Sequence, residues 1–235
     1  MSLEEVKELE KKYKLPMPTF CLKEKGYFAR EYAALMLLSN GGMKIMHTEK
    51  NRYLYQNKFD IDALAKQLSI SRATLYRNIK KLEELKCDIL KIENTKNGTV
   101  YRLKYGIETG YNDEVHKFVT IHHKILEELV INFKTPNIKL YCLLCYLTNE
   151  TDFKVIDEEF LCNNIGLCGK SESNKNKVRS MIRVLIKCKY IDVKKENRTF
   201  WNEETKNKIN KTLKLYRLCS YEEWKNLNDK TDLTS

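Results

Sequence analysis

The chain has 235 residues, 43 Lys and Arg against 32 Asp and Glu, and a formal net charge of +11. This length suits one large domain or two small ones, and 42% hydrophobic with 32% charged residues is a globular composition, which excludes a disordered basic tail. Eight glycines and three prolines are few for sandwiches, barrels and glycine-rich nucleotide-binding folds, so the composition favours helices. The basic excess predicts a polyanionic partner, either nucleic acid, which we favour, or an anionic membrane surface.

No segment of the sequence is apolar over the roughly 18–20 residues that a membrane span requires. The longest apolar run, LYCLLCYL at 140–147, ends at Thr148. The N-terminal segment MSLEEVKELEKKYK lacks the apolar stretch of a signal peptide. Eight cysteines at irregular spacings suit a reducing compartment better than a disulfide framework. We therefore expect a soluble cytoplasmic protein with no membrane partner.

The N-terminal arm, residues 1–26, is predicted to begin with an amphipathic helix over its first 16 residues. Leu3, Val6 and Leu9 are spaced for one helix face, and Pro16 ends the pattern. The arm carries six lysines against five glutamates, which is a weak basic face for membrane binding. We expect it to pack on the following domain or on a second copy of the chain.

Residues 27–108 are predicted to form a first domain with three helices. The first helix covers about 27–39, and the polar and aromatic stretch 43–59 after it includes a short hairpin. The second helix begins after Asp60, whose carboxylate can cap it, and ends near Leu68.

The third helix of this domain is predicted from Arg72 to about Lys86, with Ser71 as its N-cap. Its buried stripe consists of Leu75, Ile79, Leu82 and Leu85. Two strands follow, CDILKIEN and TVYRLKY, and the Asn97-Gly98 dipeptide between them is a strong hairpin signal.

Residues 109–235 are predicted to form a second domain after the linker-like segment YGIETGYNDE. The domain is predicted to begin with a strand at 117–121. Four helices follow: one at 122–133, one that begins at Thr135-Pro136, one at about 156–165 and one at about 173–188. The last two predicted strands are at 190–195 and 212–218. The polar stretch 196–211 separates the last two strands.

An internal repeat relates the two domains. Residues 31–40 align without gaps with 140–149, and residues 61–70 align with 158–167. In the third helices, Leu75, Ile79 and Leu82 correspond to Val178, Ile182 and Leu185. The repeated order of three helices predicts two domains of one architecture.

The order of helix, helix, tight turn, helix and two-stranded wing is that of a winged helix-turn-helix. The segment LAKQLSISRATLYRNIKKLEEL at 64–85 resembles the DNA-reading unit of bacterial winged-helix proteins, whose second helix enters the major groove. Two such units in tandem resemble plasmid and phage replication initiators. The turn CGKSES at 168–173 is longer than a tight helix-turn-helix and leaves the start of the second recognition helix open.

This resemblance implies a mainly α fold with small β wings, an α+β protein of two tandem winged helix-turn-helix domains plus a short N-terminal helix. Independently, the third helices concentrate the positive charge, with five cations against two carboxylates over 71–86 and seven against one over 170–189. Because these cations lie opposite an apolar stripe, each helix can pack on its core and face phosphates. A basic, solvated helix face in a protein-binding module is the alternative.

The candidate DNA-binding residues lie on these helices and on the first wing. Arginine can pair with guanine edges and asparagine with adenine edges, whereas lysine more often binds phosphate. The candidates are Ser71, Arg72, Thr74, Tyr76, Arg77, Lys80, Lys81 and Lys96 in the first domain and Lys175, Asn176, Lys177, Arg179 and Arg183 in the second.

Patterns that would indicate catalysis or a metal are weak. Cys142 and Cys145 form a CxxC motif inside an apolar helix, with no second pair at zinc-finger spacing. His122 and His123 point in different directions at a helix start, and no GxxxxGK phosphate-binding loop occurs. We therefore expect no enzyme activity, no metal and no cofactor.

The sequence thus predicts a non-enzymatic protein that binds double-stranded DNA and initiates or controls replication of a plasmid or phage. A transcriptional regulator of the same fold and a winged-helix assembly protein are the alternatives, and further partners would be the replication machinery or a second copy of the chain. Phe200 and Trp201, between the last two strands, are expected either to pack in the core or to insert at DNA or a partner.

Overall fold

The computed structural model describes residues 13–39, 51–96, 98–106 and 118–231. The chain forms two compact units, Met1–Cys142 and Leu143–Ser235. The helices of the described residues are α1 (Ala29–Leu38), α2 (Ile61–Gln67), α3 (Arg72–Glu83), α4 (His123–Asn132), α5 (Thr135–Leu147), α6 (Glu158–Asn164), α7 (Glu172–Lys187) and α8 (Tyr221–Thr231). The strands are β1 (Lys14–Pro18), β2 (Asn51–Tyr55), β3 (Leu90–Thr95), β4 (Gly98–Lys104), β5 (Phe118–His122), β6 (Lys154–Val155), β7 (Ile191–Asn202) and β8 (Asn207–Leu218).

The first unit contains a three-stranded antiparallel sheet in the order β2-β4-β3. The predicted hairpin between β3 and β4 is confirmed, with Thr95 opposite Gly98. β2, which lies within the stretch 43–59, pairs along its length with β4, and the hairpin predicted in that stretch stays a prediction. The rest of the stretch, and Asn97, lie outside the described residues.

The described part of the N-terminal arm corrects the prediction of a helix over the first 16 residues. Lys14–Pro18 is a strand that pairs antiparallel with β5. Leu15 and Met17 are fully buried on it, and Pro16, which a helix interior excludes, is tolerated in a two-stranded sheet. The predicted face of Leu3, Val6 and Leu9 lies outside the described residues.

The second unit repeats the strand order of the first. Its sheet runs β6-β8-β7. In each three-stranded sheet, the first strand along the chain pairs with the last strand of that sheet, which lies in the middle. The stretch 196–211, predicted as a polar connection, largely extends β7 and β8 into 12-residue strands. Helix α8 was not predicted.

The compact units divide inside α5, whereas the sequence-based division lies after residue 108. β5 and α4 belong to the first unit because β5 pairs with β1 and α4 packs against α1. Arg30 of α1 fixes this arrangement by donating to the backbone oxygens of Val130 at 2.7 Å and Ile131 at 3.3 Å.

All eight cysteines lie within the described residues, as thiols and not as disulfides. Cys142 is buried in α5 and Cys145 is half-buried there. Within the described ranges, no helix has the length and apolarity needed to cross a membrane.

Candidate nucleic-acid interface

The turn between α2 and α3 is a Schellman motif followed directly by a helix cap. The Ile70 amide donates to the Ala65 oxygen at 3.0 Å, and the Ser69 amide donates to the Lys66 oxygen at 2.9 Å. Ser69 has φ of +51°, the left-handed conformation that this motif requires. The turn therefore joins the two helices through only four residues, 68–71.

Ser71 is the N-cap of α3, as predicted. Its Oγ accepts from the Thr74 amide at 3.1 Å and donates to Thr74 Oγ1 at 2.9 Å. These two candidate DNA-binding side chains are thus engaged in holding the first turn of the helix.

The rotation of α3 about its axis is fixed by its buried side. Leu75, Ile79 and Leu82 are at most 1% exposed, which confirms three of the four predicted stripe positions; Leu85 is half-buried. Asn78 lies on the same side, and its Nδ2 donates to the buried Glu31 carboxylate of α1 at 2.7 Å. The sequence analysis missed this polar pair, for which an asparagine within an apolar stripe was the signal.

The opposite side of α3 is exposed and basic. Arg72, Tyr76, Arg77 and Lys80 lie on it, with the small residue Ala73 between them. Arg77 makes no ion pair with any residue that the structure describes. A cationic helix face with a small side chain near its N-terminus can approach the edges of base pairs closely.

Two contacts hold Arg72 at the start of this face. Its NH1 lies 3.1 Å from Asp62 Oδ2 of α2, and its guanidinium lies 5.6 Å from the centre of the Tyr76 ring. The hydrogen bond with Tyr76 and the Asp62 charge raise the pKa of Arg72. Both partners are exposed, so the arginine remains accessible to a ligand.

The remaining DNA-binding candidates of the first unit lie in the C-terminal half of α3 and in the turn of the β3–β4 wing. Lys80 is 4.0 Å from Glu84 Oε1, and Lys81 Nζ lies 5.7 Å from the centre of the Phe28 ring. Lys96 is exposed in the turn of the β3–β4 wing, beside Gly98 with its φ of +110°.

In the second unit, α6 ends with the same motif but a longer turn follows. The Leu167 amide donates to the Cys162 oxygen at 2.9 Å, and Gly166 has φ of +84°. Ser171 then caps α7, which begins at Glu172, so the start of this helix, left open by the sequence, is settled. At 16 residues, α7 is about one turn longer than the 12-residue α3.

Gly169 packs this longer turn onto α6. Its amide donates to Asn163 Oδ1 at 2.8 Å. A Cβ at this position would lie 2.7 Å from the Glu159 backbone oxygen and 2.8 Å from Asn163 Nδ2. Glycine is therefore needed for the close approach of the two backbones.

Two predicted DNA-binding cations of α7 are turned toward the carboxylates of α6 and of its own first turn. Arg179 donates to Glu158 through Nε at 2.8 Å and to Glu172 through NH1 at 2.6 Å, and Lys175 lies 3.9 Å from Glu159. Lys214 of β8 also binds Glu158. These contacts make α7 different from α3, whose Arg77 is unpaired among the described residues.

The Glu158 carboxylate is held ionised by its partners. Burial acts to raise its pKa, but the hydrogen bonds from Arg179 and Lys214 outweigh burial and lower the pKa below the usual value. The same contacts raise the pKa of Arg179. Asn176, Lys177 and Arg183 remain exposed on α7.

The long β7–β8 hairpin carries exposed side chains, among them Phe200 and Trp201, which were expected either to pack in the core or to insert at DNA or a partner. Trp201 is 62% exposed and Phe200 is 41% exposed, so neither packs in the core. Exposed lysines accompany them at positions 195, 206, 208 and 211. The signal in the sequence was the run Thr199-Phe200-Trp201, which favours a strand.

The residue types that hold metal ions are dispersed over the part of the chain that the structure describes. No group of three or more His, Cys, Asp or Glu side chains there could hold a metal ion. His122 serves instead as the N-cap of α4, where its Nδ1 accepts from the Lys124 amide at 3.2 Å.

Comparison with known proteins identifies one segment of the chain. A family model described as an HTH domain matches residues 51–98, from β2 through α2 and α3 to the start of β4. No curated protein and no solved structure matches the chain. The match covers less than half of the chain and supports DNA binding by the helix-turn-helix of the first unit.

Proposed function

We propose that this protein is a double-stranded DNA-binding protein with two tandem winged-helix units, and that it acts by binding rather than by catalysis. The observation that carries the proposal is the exposed face of α3, where Arg72, Tyr76, Arg77 and Lys80 lie opposite a fully buried stripe. The family match covers this helix. The repeated strand order of the two sheets supports a second unit of the same type.

In this proposal α3 lies in the major groove of the duplex. Arg77, with no ion pair among the described residues, is the candidate for a bidentate bond to a guanine. The exposed Lys80 and Lys81 would bind phosphates, and Lys96 in the wing turn would contact the adjacent backbone. Ser71 and Thr74 act by holding the first turn of α3.

The test compares single alanine variants of the full chain on labelled duplexes over a range of salt concentrations. With about 6–10 phosphate contacts, affinity should fall by ~10³–10⁵ between 50 and 200 mM salt. Lys80→Ala should reduce the slope of log affinity against log salt by about 0.9. Arg77→Ala should weaken binding and relax the preference at one base pair by about 1–3 kcal/mol.

Lys25→Ala is the matched control, because it removes the same single charge from an exposed position in the turn before α1. It should leave both affinity and slope unchanged. Equal losses for Lys25→Ala and Lys80→Ala would show that total charge, and not the α3 face, determines binding.

The biological role we propose is initiation or control of replication at the DNA that the two units bind, on the basis of the tandem sequence pattern. Transcriptional regulation is the second candidate, and the helix-turn-helix match is compatible with it. Selection from random duplexes, followed by mapping of the enriched motif, distinguishes them. Iterated copies near the gene indicate replication control, whereas a single promoter site indicates a transcriptional regulator. No enriched motif would favour the protein-assembly alternative.

A further inference from the structure

The distal part of the β7–β8 hairpin is a two-stranded ribbon without a core of its own. We define the ribbon as residues 195–202 of β7 and 207–214 of β8, which pair from Lys195 opposite Lys214 to Asn202 opposite Asn207. The third strand, β6, pairs only with Leu215 and Tyr216, below the ribbon. Eight residue pairs extend about 25 Å, and such a ribbon is marginally stable alone.

The two faces of the ribbon differ in chemistry. Since side chains alternate along a strand and directly opposed residues share a face, the register defines both. The asparagine face consists of Lys195, Asn197, Thr199 and Trp201 on β7 and Lys208, Asn210, Thr212 and Lys214 on β8. The opposite face consists of Glu196, Arg198, Phe200, Ile209, Lys211 and Leu213.

On the opposite face, one carboxylate pairs with two cations. Glu196 accepts from Arg198 at 2.8 Å and lies 2.9 Å from Lys194. On the asparagine face, Lys195 and Lys208 make no ion pair with any described residue. Lys211 of the opposite face also makes no ion pair with a described residue, so the asparagine face carries two unpaired lysines and the opposite face carries one.

The polar side chains of the asparagine face are ordered by cross-strand hydrogen bonds. Thr199 Oγ1 donates to Asn210 Oδ1 and Thr212 Oγ1 donates to Asn197 Oδ1, both at 2.7 Å. Because each asparagine oxygen is engaged, the exposed Nδ2 groups are left to donate to another molecule. Trp201, 62% exposed, adds an aromatic surface at the far end of the same face.

We infer that the asparagine face of the ribbon binds duplex DNA, and that this face, rather than Lys175 and Arg179 of α7, supplies the main DNA contacts of the second unit. Lysines at both ends suit phosphates, asparagine amides are donors for phosphate oxygens or base edges, and tryptophan packs on sugars or bases. Glu203 and Glu204 occupy the turn, so the contact is made by the face and not by the tip.

The inference rests on the proposed duplex DNA binding and names a further site for it. Lys208→Ala and Lys211→Ala form a matched pair, because both remove one lysine charge from β8 but on different faces. On a mixed-sequence labelled duplex, Lys208→Ala should weaken binding of the full chain and reduce the salt slope by about 0.9. Lys211→Ala should change neither.

Trp201→Ala and Phe200→Ala form the second pair. Trp201→Ala should reduce affinity by at least about fivefold, and Phe200→Ala by less than about twofold. In a Trp224→Phe background, where Trp201 is the one remaining tryptophan, adding duplex should quench its emission in proportion to the bound fraction.

The outcomes separate this inference from the proposed function. If the chain binds duplex and depends on Arg77, while Lys208→Ala and Trp201→Ala change neither affinity nor slope, the ribbon inference is overturned and the α3 proposal stands. Equal effects of Lys208→Ala and Lys211→Ala also overturn it, because binding would not be face-specific. If the intact chain binds no duplex, both proposals fall.

Discussion

At the scale of single residues, Gly169 shows how one position maintains the turn before α7. A Cβ there would meet the Glu159 backbone oxygen at 2.7 Å, and a backbone atom cannot move aside as a flexible side chain can. We expect Gly169→Ala to lower the free energy of unfolding of the second unit by about 1–3 kcal/mol, as for other overpacked sites. Urea unfolding followed by circular dichroism measures this change.

Gly26→Ala is the control for this prediction. Its Cβ would lie 3.1 Å from Leu85 Cδ2, the end of a half-buried side chain that can adjust. The expected loss is below about 1 kcal/mol. A Gly169→Ala protein as stable as the wild type would contradict the close approach between this turn and α6.

The buried Lys139 should make the stability of the first unit increase with pH in the alkaline range. It is 5% exposed, its Nζ donates to the Glu24 oxygen at 2.7 Å, and burial lowers its pKa from 10.5 to about 8. Because the folded-state pKa is the lower one, the unfolded chain binds more protons between about pH 8 and 10. Below pH 8 the buried charge therefore lowers the free energy of unfolding. As pH rises from about 8 to 10, the free energy of unfolding should increase by roughly 3 kcal/mol.

The measurement is the difference in unfolding free energy between wild type and Lys139→Met from pH 7 to 10.5. The buried Tyr27 and Tyr32, whose pKa values burial raises, titrate in both proteins and so largely cancel. As pH rises above 8, the free energy of unfolding of the wild type should increase relative to that of Lys139→Met. A difference that stays constant would mean that Lys139 is not held charged and buried.

At the scale of elements, we expect α3 to separate stability from DNA binding, because one of its sides is buried and the other is exposed. Leu75→Ala or Ile79→Ala should lower the free energy of unfolding by about 2–5 kcal/mol, since both side chains are at most 1% exposed. Arg77→Ala, on the exposed side, should leave the melting temperature nearly unchanged while weakening DNA binding. Calorimetry with binding assays on the same samples tests both; unfolding caused by Arg77→Ala would contradict the assignment of faces.

The elements also show which features could be predicted from sequence. Caps at Asp60 and Ser71 and the stripe on α3 depend on neighbours within one or two turns, so local patterns identified them. The pairing of β1 with β5 joins segments a hundred residues apart and has no local signal. The ribbon is polar on most positions, so its strands lack the apolar alternation that predicts a half-buried strand.

In the candidate site, too, features that depend on local sequence were predictable and features that depend on distant residues were not. Exposure of Arg77 was predictable because the helical period places it opposite Leu75 and Ile79. The inward direction of Arg179 was not, because it depends on Glu158 in the preceding helix and on the length of the turn between them. Equal helical patterns in α3 and α7 thus produce different surfaces.

At the scale of the whole molecule, one chain carries two units with different exposed side chains. A homodimer, in contrast, presents two identical surfaces and therefore reads a palindrome. The first unit offers Arg72, Tyr76, Arg77 and Lys80, and the second offers Asn176, Arg183 and the asparagine face of the ribbon. We therefore expect the selected DNA site to consist of two dissimilar parts. Since binding of the second unit is intramolecular once the first is bound, the intact site should be bound about 10²–10⁴-fold more tightly than either part.

The spacing of the two parts tests this expectation. Inserting 5 bp between them turns one part to the other side of the duplex, because B-DNA repeats every 10–10.5 bp. Affinity of the full chain should fall to that for the better single part at 5 bp and recover in part at 10 bp. In a chain carrying Lys208→Ala and Trp201→Ala together, the same insertion should have a smaller effect, because the contact of the second unit is already weakened. If a 5 bp insertion does not change the affinity of the unmodified chain for the duplex, the two units do not bind one duplex together. The second unit then binds another partner.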